Sequence, residues 1–264
     1  MYILLLSGGS GKRLWPLSND LNSKQFLKIL EDRDGNKQSM MERVFQQLQE
    51  VGLDDRTVIT TTSSQVDAIE NQLGFKTSII QEPSRRDTFP AIMLATSYLA
   101  ERIDLEETVI IMPVDPYVEL SFFERFEQLD QAVQAHPDAL HLMGVEPLHP
   151  TSKYGYIIPQ TSENMSIVER FQEKPTVEVA ADLIEHGALW NCGVFACRLD
   201  FLMQCLEEQA VPTTFEALRS NYEALEKTSF DYAVVEKTDS LFVHRYDGYW
   251  KDLGTWNTLT EEMP

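Results

Sequence analysis

Gly8, Gly9 and Gly11 stand within four positions, and Lys12 and Arg13 follow at once. Backbone without Cβ atoms can approach a ligand closely and turn its N–H groups toward phosphate oxygens. Lys24 adds a third cation to the same neighbourhood. The chain carries 42 acidic and 22 basic side chains, a net charge of −20, so this local positive charge points to a triphosphate. Two known phosphate loops do not fit. Arg13 stands where a Walker A loop has the Ser or Thr that holds magnesium. Lys12, Arg13 and Leu14 follow Gly11, so the third glycine of a dinucleotide fingerprint is missing.

Three further side chains could take part in phosphate chemistry. Asp115 directly follows the apolar run Val109-Ile110-Ile111-Met112-Pro113-Val114. A carboxylate at the end of a buried strand suits magnesium, and a helix-cap or turn aspartate fits the position equally well. Asp252 has Gly254 two positions later and, by itself, also reads as a turn residue. Lys174, between Glu173 and Pro175, reads by itself as a solvated lysine where a strand gives way to a turn.

The elements that must hold these residues alternate in the first half. Strands are expected at 2–6, 57–61, 77–80 and 108–112, and helices at 40–51, 64–73 and 89–101. Short apolar strands separated by helices imply a mostly parallel sheet, and ligands on such sheets bind beyond the strands' carboxyl ends. The glycine loop and Asp115 both fall there. The second half is more mixed, with strands expected at 140–145, 155–159, 167–173 and 193–198 and helices at 177–186 and 199–206. No linker, repeat or low-complexity tract divides the chain.

With 264 residues the chain can bury a large core. Its acidity disfavours nucleic acid or an anionic membrane as a partner, so anionic small substrates must be gathered by a local basic pocket. Cys192, Cys197 and Cys205 lack metal-type spacing, and a disulfide framework is not expected. The N-terminus reads as a core strand and not as a signal peptide, and no apolar run reaches the ~20 residues that span a bilayer. The cytoplasm is the expected compartment.

The string Gly8-Gly9-Ser10-Gly11-Lys12-Arg13-Leu14-Trp15-Pro16-Leu17, followed by Ser23-Lys24-Gln25-Phe26-Leu27, resembles the signature of sugar-1-phosphate nucleotidyltransferases, mannose-1-phosphate guanylyltransferases in particular. Further motifs extend the resemblance from Leu4 to Trp256. Met112-Pro113-Val114-Asp115 looks like the family's strand-end metal aspartate, although Pro116 stands where guanylyltransferases often have His. Asp252-Leu253-Gly254-Thr255-Trp256 is similar to the late motif whose aspartate completes the metal site. Glu173-Lys174-Pro175 resembles the motif in which glutamate contacts sugar hydroxyls and lysine the sugar phosphate. Tyr154-Gly155-Tyr156 and Trp190-Asn191-Cys192-Gly193 look like two more sugar-site motifs, and Gly144 is expected to face the sugar through its backbone. The stretch Ser229–Lys237 resembles one typical of the mannose-specific branch, with Asp231 as a support for the site wall. Glu82-Pro83-Ser84-Arg85-Arg86-Asp87-Thr88-Phe89-Pro90-Ala91-Ile92 parallels the family's base-reading segment. Glu82 or Asp87 could accept from both N1–H and the exocyclic amine of guanine. Asp87 replaces the commoner asparagine and Phe89 the commoner alanine, which leaves cytosine or another base open.

The resemblance implies an α/β, Rossmann-like nucleotidyltransferase fold of the glycosyltransferase-A type, with helices flanking the sheet and a sugar-binding subregion. It implies one domain over 1–264, with a nucleotide-binding half at about 1–135 and a sugar-phosphate half at about 136–264. The implied reaction joins an NTP and a sugar 1-phosphate into an NDP-sugar and pyrophosphate, with GTP and α-D-mannose 1-phosphate as the expected pair. Such a transfer needs positioning and charge stabilisation and no protein nucleophile. Arg13, Lys24, Asp115 and Asp252 are the expected catalytic residues, Asp115 and Asp252 holding Mg²⁺. Leu6, Gly8, Gly9, Ser10, Gly11, Lys12, Arg13, Glu82, Arg86, Asp87 and Thr88 would contact the nucleotide. Gly144, Tyr154, Gly155, Glu173, Lys174 and Asn191 would contact the sugar phosphate. The end at Pro264 leads to the expectation that the β-helix and isomerase domains of longer relatives are lacking. Another sugar phosphate, a phosphorylated non-sugar, or a silent regulatory subunit on the same fold are the alternatives. Oligomeric state stays open, a homodimer being compatible with the sequence.

Overall fold

The computed structural model describes residues 1–8, 23–74 and 77–253. Strand β1 (Tyr2–Leu6) is followed by a small ribbon of β2 (Leu30–Glu31) and β3 (Lys37–Gln38), then α1 (Met40–Glu50), β4 (Thr57–Thr62), α2 (Val66–Leu73) and β5 (Ser78–Glu82). Next come α3 (Thr88–Ala100), β6 (Thr108–Pro113), β7 (Pro116–Val118), α4 (Leu120–Ala135), β8 (Leu140–Val145), β9 (Tyr156–Pro159) and β10 (Met165–Gln172). The remainder is α5 (Val177–Glu185), β11 (Leu189–Arg198), α6 (Leu199–Glu207), α7 (Phe215–Ser220), α8 (Phe230–Ala233), β12 (Leu241–Tyr246) and β13 (Trp250–Asp252).

Nine strands form one sheet in the order β5-β4-β1-β6-β11-β8-β12-β10-β9. The first four are parallel, as the alternating strands and helices predict. Beyond β6 the sheet is mixed: β8 and β12 are parallel, while β11, β10 and β9 run antiparallel to their neighbours. The unbroken parallel run is thus the helix-alternating half, where helical crossovers return the chain to the same edge; in the second half only β8 and β12 pair in parallel.

Side chains of period two feed two cores. Ile3, Leu5, Ile110 and Met112 join the face covered by α1 and α4, through Val44, Leu48, Phe122 and Phe126. Leu4, Val58, Val109 and Ile111 join the face covered by α3 and α6, through Ile92, Leu94, Leu199 and Leu202. Burying each such side chain contributes roughly 1.5–3 kcal/mol. Helix α1 starts at a capping box in which Ser39 accepts from the Glu42 N–H and Glu42 accepts from the Ser39 N–H. Among the elements that escaped the sequence reading are α4 and β12. α4 carries its apolar residues at helical spacing, Phe122, Phe126, Leu129 and Val133. In β12 the polar pair His244-Arg245 interrupts the apolar pattern.

The topology gathers the expected site residues at one edge. The carboxyl ends of β1, β4, β5 and β6 coincide because these strands are parallel. Trp190 and Asn191 pair with Val145 and Gly144, so the start of β11 and the end of β8 share that edge. Tyr156 pairs with Trp190 and with Gln172, which brings Gly155 and Glu173 to it as well.

Candidate functional site

At the ends of β1, β4, β5 and β6 lies a cavity of about 250 Å³, lined among others by Leu6, Gly8, Lys24, Glu82, Thr88 and Asp115. Glu82 ends β5 and is buried there. The Tyr222 hydroxyl donates to its Oε2 at 2.9 Å, while its Oε1 faces Gly8, where a Cβ would come within 3.3 Å. Burial pushes the Glu82 carboxyl up to about 7, partly offset by the Tyr222 hydrogen bond and the charge of Arg85. Asp87 adopts a left-handed φ of 72° and caps α3, its Oδ1 accepting from the Thr88 N–H at 2.8 Å. Of the two carboxylates considered for reading a base, Glu82 is thus the buried one, and Asp87 is exposed and engaged by its own helix. Arg86 borders the cavity, but its guanidinium donates to Glu223 at 2.5 Å and to the Leu225 carbonyl at 2.8 Å. It serves as a strut between two wall segments. Thr88 Oγ1 accepts from the Phe230 N–H at 2.9 Å and ties α3 to α8.

Beside this cavity two aspartates meet. Asp115 directly precedes β7 and Asp252 ends β13, and the antiparallel register places Asp252 opposite Pro116. The β7 edge is held by α1: Arg43 and Gln47 both donate to the Val118 carbonyl, at 2.9 and 3.1 Å, and the Arg43 guanidinium lies over the Tyr117 ring. Lys24 Nζ reaches Asp115 at 2.5 Å and Asp252 at 3.9 Å. Lys24 is anchored by its neighbour Gln25, whose buried amide donates to Ser7 and Gln65. Two partly exposed carboxylates and a cation thus converge from three remote segments. No group of three or more His, Cys, Asp or Glu side chains suited to a metal occurs among the described residues. Mg²⁺, however, keeps waters and is commonly held by one or two carboxylates plus substrate phosphates, and the Asp115–Asp252 pair fits that donor set.

The third cluster lies around Gly155. A Cβ there would sit 2.5 Å from Glu173 Oε2 and 2.7 Å from Phe171 Cζ, so only glycine admits the buried carboxylate. Glu173 Oε1 accepts from Lys174 Nζ at 2.5 Å, and its Oε2 is buried with no hydrogen-bond partner among the described residues. Lys174 has a left-handed φ of 45°, a conformation non-glycine residues adopt at a cost of roughly 1–3 kcal/mol, concentrated at functional sites. Burial opposes its charge, but the bond and charge of Glu173, with Asp231, raise its pKa overall. The Asn191 amide donates to Asp231 at 2.8 Å, its carbonyl oxygen accepts from the Gly193 N–H, and its own N–H donates to the Gly155 carbonyl. Burial and the nearby Glu173 push Asp231 up to about 7, offset in part by Lys174 and Asn191. Tyr154 packs against Trp190 and Trp250; burial and the charges of Asp252 and Asp115 push its phenol up to about 12. The aspartate pair therefore borders this cluster as well as the cavity.

Gly144 sits one strand away, where a Cβ would meet Leu189 at 2.9 Å and Val243 at 3.0 Å; its missing side chain serves sheet packing. Gly9, Ser10, Gly11, Lys12 and Arg13 lie outside the described residues. Tyr222 and Glu223, which hold Glu82 and Arg86, carry no sequence signal: Ser220-Asn221-Tyr222-Glu223 is an ordinary polar stretch. The three cysteines are free thiols, and burial pushes Cys192 up to about 12.

A family model described as nucleotidyl transferase matches residues 2–264. The chain is 30% identical over 279 residues to the xanthan biosynthesis protein XanB of Xanthomonas campestris pv. campestris, covering 98% of this chain and 58% of that protein. It is 31% identical over 292 residues to the mannose-1-phosphate guanylyltransferase ManC of Salmonella typhimurium, covering 99% of this chain and 59% of ManC. This chain thus spans less than two thirds of either relative. Among solved structures, one described as mannose-1-phosphate geranyltransferase from Thermus thermophilus superposes with a TM-score of 0.83 at 28% identity, over 99% of this chain and 78% of that one.

Proposed function

Because the chain belongs to the nucleotidyl transferase family, we propose that it forms GDP-mannose and pyrophosphate from GTP and α-D-mannose 1-phosphate. The observation that carries this reading is the meeting of Asp115, Asp252 and Lys24 between a cavity walled by Glu82 and a cluster built on Glu173 and Lys174. One site then serves two phosphorylated substrates.

A phosphate oxygen of mannose 1-phosphate attacks the α-phosphorus of GTP, the bond to the β-phosphate breaks, and pyrophosphate leaves. Lys24, now paired with Asp115, exchanges that partner for triphosphate oxygens and neutralises charge developing on them. Arg13 and the backbone of residues 8–11 are assigned the same triphosphate. Bound Mg²⁺, held by Asp115 and Asp252, would supply charge stabilisation at the phosphates. Lys174 orients the attacking phosphate, and the orphan Oε2 of Glu173 accepts a hydrogen bond from a sugar hydroxyl. Glu82, when ionised, accepts from the guanine N1–H and exocyclic amine.

This reading treats residues 1–264 as one catalytic domain, in halves of about 1–135 and 136–264. It places the enzyme in the cytoplasm, in nucleotide-sugar supply for polysaccharide synthesis, as a monomer or homodimer. No helix among the described residues is long and apolar enough to cross a membrane. Pyrophosphate release over a grid of nucleotides and sugar phosphates, with and without Mg²⁺, tests it. GTP with mannose 1-phosphate should turn over fastest and only with the metal. A preference for CTP would overturn the base assignment, and no turnover with any pair would overturn the reaction.

A further inference from the structure

We propose that Tyr222 is a positioning residue for nucleobase selection, acting through Glu82 from a segment that forms the outer wall of the base cavity. The proposal rests on the reading of Glu82 as the group that contacts the base. Its ground is the way residues 222–230 close over residues 82–89. Tyr222 donates to Glu82 Oε2 at 2.9 Å, and Glu223 accepts from Ser84 and Arg86. The Leu225 carbonyl accepts from Arg86 at 2.8 Å, the Thr228 carbonyl from the Phe89 N–H at 3.2 Å, and Thr88 from the Phe230 N–H at 2.9 Å. Five residues of one wall are therefore held by the other.

Within that frame Glu82 has one fixed orientation. Oε2 is occupied by the phenol and Oε1 is turned to Gly8 on the cavity side. The Tyr222 side chain is itself buried and the bond is already formed, so it costs little order on ligand binding. Among the described residues, the charged or titratable groups around Glu82 are Tyr222 and Glu223 on the outer segment and Arg85 and Arg86 on its own loop. Lys24, Asp87 and Asp115 line the same cavity. A donated hydrogen bond favours the ionised carboxylate, opposing the burial that pushes Glu82 up to about 7. Tyr222 thus both aims the carboxylate and shifts it toward the ionised form, the form that accepts from guanine.

The test measures steady-state rates with GTP and mannose 1-phosphate as a function of pH, for wild type, Tyr222→Phe, Glu82→Gln and the double variant. Tyr222→Phe should raise KM for GTP about tenfold, the value of one hydrogen bond to a charged group. KM for mannose 1-phosphate should stay unchanged, and the acid limb of kcat/KM for GTP should move to higher pH. In the Glu82→Gln background the same substitution should change neither. Replacing Tyr222 with a fluorinated tyrosine, a stronger donor of equal shape, should move the acid limb to lower pH; this arm holds should Tyr222→Phe fail to fold. If Glu82→Gln raises KM for GTP but both Tyr222 replacements leave the pH limb in place, the role of Tyr222 is refuted. If Glu82→Gln itself leaves KM and base preference untouched, the reading of Glu82 falls, and the proposal with it.

Discussion

Replacing Gly155 with alanine puts a methyl carbon where the fold has room for none. It would stand 2.5 Å from Glu173 Oε2 and 2.7 Å from Phe171 Cζ, against the 3.0 Å that Cβ contacts hardly ever undercut. Glu173 must then retreat by about 0.5 Å or more. Its side chain is only 5% exposed and bonded to Lys174, so the two move together. Overpacking of this kind costs about 1–3 kcal/mol of stability. A misplacement near 1 Å in a positioned reactant costs on the order of 10²-fold in rate, so a 10- to 10²-fold loss of kcat/KM for the sugar phosphate is expected. KM for the nucleotide should hold, because Glu82 ends β5 and Lys24 opens a helical turn after β1, both remote from Gly155. Gly187→Ala is the control: φ is +80° with nothing within 4 Å, so it should cost only about 1 kcal/mol of backbone strain and no activity. Initial rates with each substrate varied in turn, beside thermal melts of both variants, decide the matter. Normal sugar-phosphate kinetics in Gly155→Ala would refute the assignment of Glu173 and Lys174 to that substrate.

Asp115→Asn should lower Mg²⁺-dependent turnover by on the order of 10²–10³-fold while the melting temperature changes little, since the side chain is partly exposed; near-normal turnover would refute the metal role. His141 and His244 share a ring-to-ring hydrogen bond of 3.0 Å, and burial pushes both down to about 4. Their unfolded forms take up protons from about pH 6.5 downward while the folded forms do not, so the stability they contribute is full above 6.5 and lost as pH falls toward 4. His244→Gln should therefore flatten the fall in unfolding free energy between pH 7 and 4.5, and an unchanged slope in denaturant melts would refute this. Glu82 and Asp231, both pushed up to about 7, act oppositely: each destabilises the fold progressively as pH rises from about 4 toward 7. Glu82→Gln should then flatten the opposing trend, which the same melts read.

Much of the parallel half was legible because its inner strands are buried on both faces and read as apolar runs, such as Val109–Met112 ahead of Asp115. Glu173 and Gly155 were singled out through motifs, but nothing in either stretch states that one leaves room for the other. Asp87 and Arg86 show the converse. Both stand in the stretch expected to read the base, and in the fold one caps α3 and the other braces Glu223, because a charged side chain takes whichever partner the packing brings within reach.

The residue types alone determined the inventory: a glycine-rich turn beside cations, carboxylates at strand ends, and the alternation that puts strand ends on one edge. Those follow from steric freedom, charge and side-chain periodicity, all of which act over a few neighbouring residues. Which groups meet was decided only in three dimensions. Asp252 stands beside Asp115 through the β7–β13 register, Asp231 holds Asn191 from α8, and Tyr222 holds Glu82 from the far end of the chain. Such meetings depend on sheet register and helix packing summed over the whole core, and no local spacing encodes them.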